Sequence, residues 1–357
     1  MRKLVAVPFY LLVLICLMAG SSRACTCFCM DTPNGPIYGS NLDLLIPADG
    51  LVFINQRGME KRGFPSQSGT HGEKLTWISK YGSVTFNTAG RECAFGGMNE
   101  AGLIVGGMQL LKSEFPEPDK RPALPVGIWV QYVLDTCGSV EEAMLVDSKV
   151  RIEDSTPPLH FLIADAEGKC VSIEWIDGKF VCHAGDSLPV KAMSNMSYTR
   201  ALAAFKRGGP RWWWSNPGQS AERFAAAHNR SQSYDPAAEP DAIGYAFDTL
   251  VDIVSAPYTK WSIVYDIAKR EIWYGTVRSR ALKHLSFKNL DFSCQGPLLM
   301  LDVNAQLKGD IEKFFIPYDH NINLKVFRTL CDRHKIKISK EDAIEFVRHI
   351  ESFKCTQ

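Results

Sequence analysis

The sequence has no dominant charge of either sign. Its 357 residues carry 40 Lys and Arg against 39 Asp and Glu, which gives a formal net charge of +1. Proteins that bind nucleic acid usually gather an excess of basic residues on one face, so this balance argues against a nucleic-acid partner. Charged residues make up only 22% of the chain and hydrophobic residues 46%, a composition that excludes an intrinsically disordered protein.

Internal repeats, low-complexity tracts and a second membrane-length apolar run are also missing. The one long apolar run covers residues 4–18, behind a basic start and ahead of the small residues Ser22 and Ala24. This order predicts a signal peptide over residues 1–24. A membrane anchor is the alternative, but Pro8 shortens the apolar span below the roughly 20 residues that a spanning helix needs. We therefore expect a secreted or periplasmic protein without membrane contact once the signal peptide is removed.

Cleavage after residue 24 would leave Cys25 as the first residue, where a cysteine is chemically special. A thiolate is a nucleophile, and an α-amino group with a pKa of about 7.7–8.0 is partly neutral near physiological pH. Cys25 would then supply both the attacking sulfur and the base that takes its proton, as in amino-terminal nucleophile enzymes.

The cysteine pattern also allows a different class of protein. The chain holds 11 cysteines, more than is usual for a cytosolic protein, and three of them form the run Cys25-x-Cys27-x-Cys29. An exported metal-binding or redox-active protein built on this run is the alternative to an enzyme. A thiolate zinc site usually needs four ligands at wider spacing, so this hypothesis ranks second and we assign no metal ligands.

Apolar patterning and turn signals predict strands in antiparallel groups with helices between them. Asp177-Gly178 is a strong hairpin signal between two apolar runs, and Ser139 with Glu142 forms a capping-box pattern at a helix start. Strands are predicted at residues 50–54, 83–86, 102–105, 159–164, 170–176, 180–183, 261–267 and 271–277. Helices are predicted at residues 126–136, 140–148, 198–205, 221–227, 242–254, 324–334 and 340–351. Clustered strands favour an α+β layered fold over a doubly wound sheet.

No break in composition marks a linker between independent domains. Two loose stretches, residues 206–219 and 229–240, have apolar patterning on both sides. We therefore predict one domain over residues 25–304, followed by a helical C-terminal extension over residues 305–357. The later cysteines allow several disulfide pairings, among which the sequence does not choose.

Several motifs spread over residues 25–303 are distinctive when taken together. Cys25-Thr26 leads through a turn to Tyr38-Gly39-Ser40-Asn41-Leu42-Asp43, and later segments read Gly-Met-Asn-Glu-Ala-Gly-Leu at 97–103, Met-Ser-Asn-Met-Ser-Tyr at 193–198 and Ser-Ala-Glu-Arg-Phe at 220–224. On these motifs the chain resembles the choloylglycine hydrolase and penicillin V acylase family. The resemblance implies a four-layer αββα sandwich with antiparallel sheets, the fold of amino-terminal nucleophile hydrolases. It also implies hydrolysis of a linear, non-peptide amide of a small N-acyl compound, through a thioester and without a metal or organic cofactor.

The resemblance assigns roles to individual residues. Asp43 matches a family Asp that holds and orients the α-amino group, and Arg223 matches an Arg that favours the thiolate by its positive charge. Asn195 matches a family Asn that stabilises the oxyanion. Gln109 stands where bile-salt-type members have a second oxyanion Asn, so the backbone N–H is the expected donor there. Taken singly, each of these residues is also compatible with an ordinary structural role.

Two features lie outside the shared motifs. Ser40 replaces an Arg that many members have three residues before the matching Asp, which implies weaker thiolate stabilisation, other substrates or lost activity. Trp212, Trp213 and Trp214 form a run that we expect either to line the acyl-group site or to pack on the core or an oligomer interface. Penicillin V, conjugated bile acids and acyl homoserine lactones all fit the family as substrates, and a homo-oligomer is compatible with the sequence.

Overall fold

The structure of the protein is a computed structural model that describes residues 25–45, 47–63, 75–153, 158–208, 220–254 and 257–356. The predicted signal peptide at residues 1–24 and the tryptophan run at residues 212–214 lie outside the described residues. Within the described ranges, no helix is both long enough and apolar enough to cross a membrane.

Strands and helices alternate in groups along the described chain. The strands are β1 (Thr26–Met30), β2 (Ile37–Asp43), β3 (Leu51–Asn55), β4 (Met59–Arg62), β5 (Thr76–Ile78), β6 (Ser83–Asn87), β7 (Ala94–Asn99), β8 (Ile104–Gln109), β9 (Ala123–Leu124), β10 (Arg151–Ile152), β11 (Leu159–Ala164), β12 (Cys170–Ile176), β13 (Lys179–Ala184), β14 (Ala192–Met193), β15 (Thr259–Asp266), β16 (Glu271–Thr276), β17 (Ser279–Ser286), β18 (Leu299–Asp302), β19 (Gly309–Asp310), β20 (Ile316–Pro317) and β21 (Lys354–Cys355). The α-helices are α1 (Val126–Thr136), α2 (Val140–Met144), α3 (Tyr198–Lys206), α4 (Ser220–Gln232), α5 (Ala242–Asp252), α6 (His320–Arg333) and α7 (Lys340–Glu351). Short 3₁₀ turns cover Gly185–Ser187, Phe287–Asn289 and Glu312–Phe314.

Two large sheets lie at the centre of the described fold. One has the strand order β13-β12-β11-β8-β7-β6-β3-β18-β20, and each neighbouring pair is antiparallel. The other has the order β14-β1-β2-β15-β16-β17-β19 and is antiparallel except for its last pair. The strands β21-β4-β5 and β9-β10 form two smaller sheets.

The two large sheets pack face to face, with helices on their outer faces. Across the sheets, the hydroxyl of Tyr38 in β2 donates a hydrogen bond to the carbonyl of Leu162 in β11 (2.9 Å). Gly106 in β8 makes room for this contact, since a Cβ there would overlap the Tyr38 hydroxyl. Helices α1 and α2 pack around Trp129 on the outer face of the sheet that contains β8. Helices α4 and α5 pack on β1, β2 and β15 of the other sheet, and α3 packs against α4. The fold is therefore the expected four-layer αββα sandwich.

Local signals set several element boundaries as predicted. Asp177 and Gly178 both have positive φ angles (50° and 70°), as a two-residue type I′ hairpin turn requires. Helix α1 covers residues 126–136 and α7 covers residues 340–351, the ranges that the sequence predicts. The side chain of Ser339 caps α7 by accepting a hydrogen bond from a backbone N–H of its first turn.

Three helices differ from their predictions by four or five residues at one end, whereas the others agree within two residues. Helix α2 ends at Met144 rather than residue 148, α4 extends to Gln232 rather than residue 227, and α6 begins at His320 rather than residue 324. The added turns of α4 and α6 are mostly polar, so apolar periodicity gives no signal there. Asp319 caps the true start of α6 through the N–H of Ile322 (2.9 Å).

The segment after residue 304 combines helices with short strands that join the rest of the protein. Strand β20 pairs with β18, and β21 pairs with β4. Helices α6 and α7 share a small apolar core that includes Phe327 and Phe346. A disulfide between Cys294 and Cys355 links the end of this segment to the residues before it. The boundary between residues 304 and 305 stays a prediction.

Candidate active site

Cys25 lies directly before β1, where pairing with β2 brings it beside Asp43. Thr26 pairs with Asn41 in this hairpin, so Cys25 and Asp43 meet at its open end. The backbone N–H of Asp43 donates to the Cys25 sulfur, with 3.4 Å between N and Sγ, and the thiol faces the Asp43 carbonyl oxygen at 3.7 Å. Only 2% of the Cys25 surface is exposed.

Burial raises the pKa of the Cys25 thiol to about 12, and the nearby Asp43 carboxylate adds to the rise. The N–H of Asp43 and the positive charge of Arg223 lower the pKa but do not offset burial. The sulfur is therefore protonated at neutral pH. Nucleophilic attack by Cys25 consequently requires a base that takes its proton.

Asp43 is a buried carboxylate next to this thiol. None of its surface is exposed, and neither carboxylate oxygen makes a well-formed hydrogen bond within the described part of the chain. Burial raises the pKa of Asp43 to about 7, although the Thr259 hydroxyl and the charges of Arg223 and Lys260 lower it. Such a carboxylate is suited to binding a cationic group placed close to Cys25.

Arg223 connects Cys25 to a second part of the site. This α4 residue is 1% exposed, and its Nη1 donates to the Cys25 carbonyl oxygen (2.8 Å) and to the Thr26 hydroxyl. Its Nη2 donates to Asn195 Oδ1 (3.2 Å). Burial lowers the pKa of Arg223, but a guanidinium remains charged at neutral pH.

Asn195 extends this chain of hydrogen bonds to Gln109. Its Nδ2 donates to the carbonyl oxygen of Gln109 (2.7 Å), the last residue of β8. An amide nitrogen carries two N–H groups, and the bond to Gln109 uses one of them. The structure therefore brings together all of Cys25, Asp43, Gln109, Asn195 and Arg223.

Sequence reasoning missed a buried carboxylate that fixes the start of α3. Both oxygens of Glu174 accept hydrogen bonds from the N–H of Tyr198 at 3.0 Å, and one lies 2.9 Å from Nδ1 of His160. Tyr198 begins α3 and follows Asn195 by three residues, so Glu174 positions the segment that carries this amide. The sequence signal for this carboxylate is a single Glu inside the apolar run of β12.

The other cysteines of the Cys-x-Cys-x-Cys run do not converge on Cys25. The Cys27 thiol donates to Ser40 Oγ (3.3 Å), so Ser40, at the position of the family Arg, contacts Cys27. Arg223 is the cation that lowers the pKa of Cys25 within the described structure. Across the described ranges, no group of three or more His, Cys, Asp or Glu is placed to hold a metal ion.

A mainly apolar cavity of about 140 Å³ adjoins the nucleophile. Cys25, Asp43 and Gln109 belong to its lining, together with apolar residues such as Val126 and Leu159. Its volume is close to that of a cavity that holds one benzene ring. Trp212, Trp213 and Trp214, the residues expected to line the acyl-group site or to pack elsewhere, lie outside the described residues.

The four-layer sandwich with a cysteine ahead of its first strand is the fold of the amino-terminal nucleophile hydrolases. The model of the family described as "Linear amide C-N hydrolases, choloylglycine hydrolase family" matches residues 25–204. The chain belongs to this family, which confirms the interpretation of its motifs.

Relatives in the family include curated and structurally solved proteins. In an alignment 204 positions long, the chain is 32% identical to a penicillin V acylase of Pectobacterium atrosepticum, and the match covers 51% of this chain and 53% of that one. The chain thus spans about half the length of this curated relative. A penicillin V acylase structure from Agrobacterium tumefaciens matches with a TM-score of 0.68 and 26% identity, over 82% of this chain and 98% of that chain. A variant of conjugated bile acid hydrolase from Clostridium perfringens matches with a TM-score of 0.61 and 16% identity, over 80% and 98% of the two chains, and shows the fold alone.

Proposed function

We propose that the protein is an exported cysteine hydrolase that cleaves the linear, non-peptide amide bond of a small N-acyl compound. The convergence of Cys25, Asp43, Asn195 and Arg223 beside a mainly apolar cavity carries this proposal. Membership of a family of linear amide hydrolases supports the reaction class. Two relatives named penicillin V acylase support an acyl amide as the substrate.

The proposed base is the α-amino group that removal of residues 1–24 would give Cys25. The hairpin geometry would place this amine close to Asp43, whose buried oxygens have no well-formed hydrogen bond in the described structure. Asp43 would hold and orient the amine, and the neutral amine would take the thiol proton. The thiol requires such a base because burial raises the pKa of Cys25 and keeps its proton on the sulfur.

The proposed reaction is acyl transfer through a thioester. Cys25 Sγ attacks the amide carbonyl carbon while the α-amine takes the thiol proton, directly or through a water. The oxyanion accepts hydrogen bonds from Asn195 Nδ2 and from backbone N–H near Gln109. The α-ammonium then protonates the leaving nitrogen, the C–N bond breaks, and water hydrolyses the thioester to release the carboxylic acid. No step requires a metal or an organic cofactor.

Export is part of the proposal. The basic start, apolar run and small residues within residues 1–24 support it. The disulfide between Cys294 and Cys355 also supports it, because disulfides form and persist mainly in oxidising compartments. We therefore propose a secreted or periplasmic location.

Amino-terminal sequencing combined with an activity screen tests this function. The exported chain is expected to begin at Cys25. Penicillin V and other N-acyl amides are assayed with the wild type, with Cys25→Ser and with the control Cys182→Ser, whose thiol does not line the cavity. We expect turnover by the wild type and the control, and a loss of at least about 10³-fold in Cys25→Ser. A different first residue, or full turnover by Cys25→Ser, contradicts the proposal.

A further inference from the structure

The C-terminal segment supplies a large part of the lining of the cavity beside Cys25. Its contribution comes from α6, from α7 and from the turn between them. The lining residues of this segment are Phe327, Leu330, Cys331, His334, Ile336 and Phe346. The family model matches residues 25–204 and the family motifs end before residue 304, so neither assigns a role to this wall.

The wall is an ordered part of the protein. The rings of Phe327 and Phe346 stack with 4.6 Å between their centroids and 8° between their planes. They are 2% and 5% exposed, within the small apolar core that α6 and α7 share. Asn323 of α6 accepts a hydrogen bond from the backbone N–H of Arg91 (2.8 Å), in the loop ahead of β7. Packing and hydrogen bonding therefore hold the wall in a fixed position against the sandwich.

We propose that this helical wall binds the acyl group of the substrate and that Phe327 and Phe346 set the length of the acyl group that is accepted. The proposal rests on the proposed amide hydrolysis at Cys25 and names its substrate class: amides of uncharged, apolar acyl groups about the size of a benzene ring or a six-carbon chain. A charged acyl group is disfavoured, because most of the lining is apolar and a buried charge without a partner is costly.

An acyl-length series tests the wall in the full-length exported protein. The substrates are N-acyl 4-nitroanilides from acetyl to decanoyl, which differ only in the acyl group. Removing a ring with Phe346→Ala or Phe327→Ala lengthens the cavity, and each additional buried CH₂ is worth about fourfold in binding. We expect the ratio of kcat/KM for decanoyl over hexanoyl to rise at least about tenfold in either variant. Phe346→Leu is the milder variant, with a smaller rise.

Phe353→Ala is the matched control. It makes the same change to a buried residue of the same segment that does not line the cavity. We expect this control to lower stability while keeping the acyl preference of the wild type. Unchanged preferences in Phe327→Ala, Phe346→Ala and Phe346→Leu would overturn the proposal, as would an equal shift in Phe353→Ala.

A binding measurement separates this proposal from the proposed function. Hexanamide and decanamide are titrated calorimetrically into Cys25→Ala and into the same protein with Phe346→Ala added. We expect the added substitution to improve decanamide binding relative to hexanamide by about tenfold. Absence of turnover by the wild type would contradict the hydrolase function, whereas the same relative affinity in both proteins would contradict the acyl-binding wall.

Discussion

The two sides of the cavity are built in different ways. One side holds the nucleophile at the end of the β1–β2 hairpin, and we call it the strand side. There, directional hydrogen bonds of 2.7–3.4 Å link Cys25, Asn195 and Arg223 with their neighbours. The opposite side is the wall formed by α6 and α7, and we call it the helix side. There, Phe327 and Phe346 form an apolar surface by packing against each other. A hydrogen bond is lost when one atom is removed, whereas an apolar wall changes shape by degrees. Substitutions on the strand side should therefore reduce turnover, and those on the helix side should change which substrate is turned over.

The largest expected effect is a loss of kcat when Asn195, on the strand side, is substituted. Asn195→Ala removes the proposed oxyanion donor, so kcat should fall about 100- to 1,000-fold with little change in KM. Steady-state kinetics on the amide that the wild type hydrolyses measures this. The control Asn289→Ala changes an exposed amide that donates to Glu312 and should stay within about twofold of the wild type. An unchanged kcat in Asn195→Ala would show that the strand side tolerates the loss of a directional contact.

The next effect is a pH dependence of kcat/KM that arises only from groups on the strand side. Two groups of the proposed mechanism titrate near neutrality: Asp43, whose pKa burial raises to about 7, and the α-amine, with an ordinary pKa of about 7.7–8.0. We expect kcat/KM to decrease at least about tenfold per pH unit below pH 7, because a protonated amine cannot take the thiol proton and a protonated Asp43 cannot hold the amine. Phe346→Ala should show the same profile as the wild type, because the helix-side wall does not hold the amine. A flat profile from about pH 5 to pH 7 would argue against a role for the Asp43 carboxylate.

The smallest expected effect concerns Glu174, which acts on the strand side only through the segment that carries Asn195. Glu174→Gln keeps one acceptor oxygen for the N–H of Tyr198 but loses the negative charge at the start of α3. We expect kcat to fall about three- to tenfold with an unchanged KM. The same substitution should have no further effect in the Asn195→Ala background. Additive losses in the double variant would indicate a general loss of structure instead of positioning.

The helices and eight of the strands follow from signals that lie within a few residues of each element. The cap at Ser339 and the apolar periodicity of residues 340–351 define α7 without any tertiary information. The Asp177-Gly178 turn defines a hairpin in the same way. The polar last turn of α4 has no such signal, because its place in the helix depends on the turns before it.

The residues of the candidate site also differ in whether a local sequence signal predicts them. Cys25, Asp43 and Asn195 could be found because short motifs with recognisable spacing surround them. The contribution of Phe346 to the cavity could not be found, since it depends on how two helices pack against residues more than 200 positions away in the chain, such as Cys93. The pairing of Cys294 with Cys355 likewise depends on the path of the whole C-terminal segment.

The position of Cys25 decides how the protein should be produced and handled. Its surroundings are closed, with 2% of its surface accessible, and any peptide left joined to its nitrogen would remove the α-amine that the proposed mechanism uses as its base. Lys354, Cys355 and Thr356 are exposed at the opposite end of the chain. An affinity tag, a dye or a linker for immobilisation on a solid support therefore belongs at the carboxyl terminus, where it leaves the proposed α-amine of Cys25 unmodified.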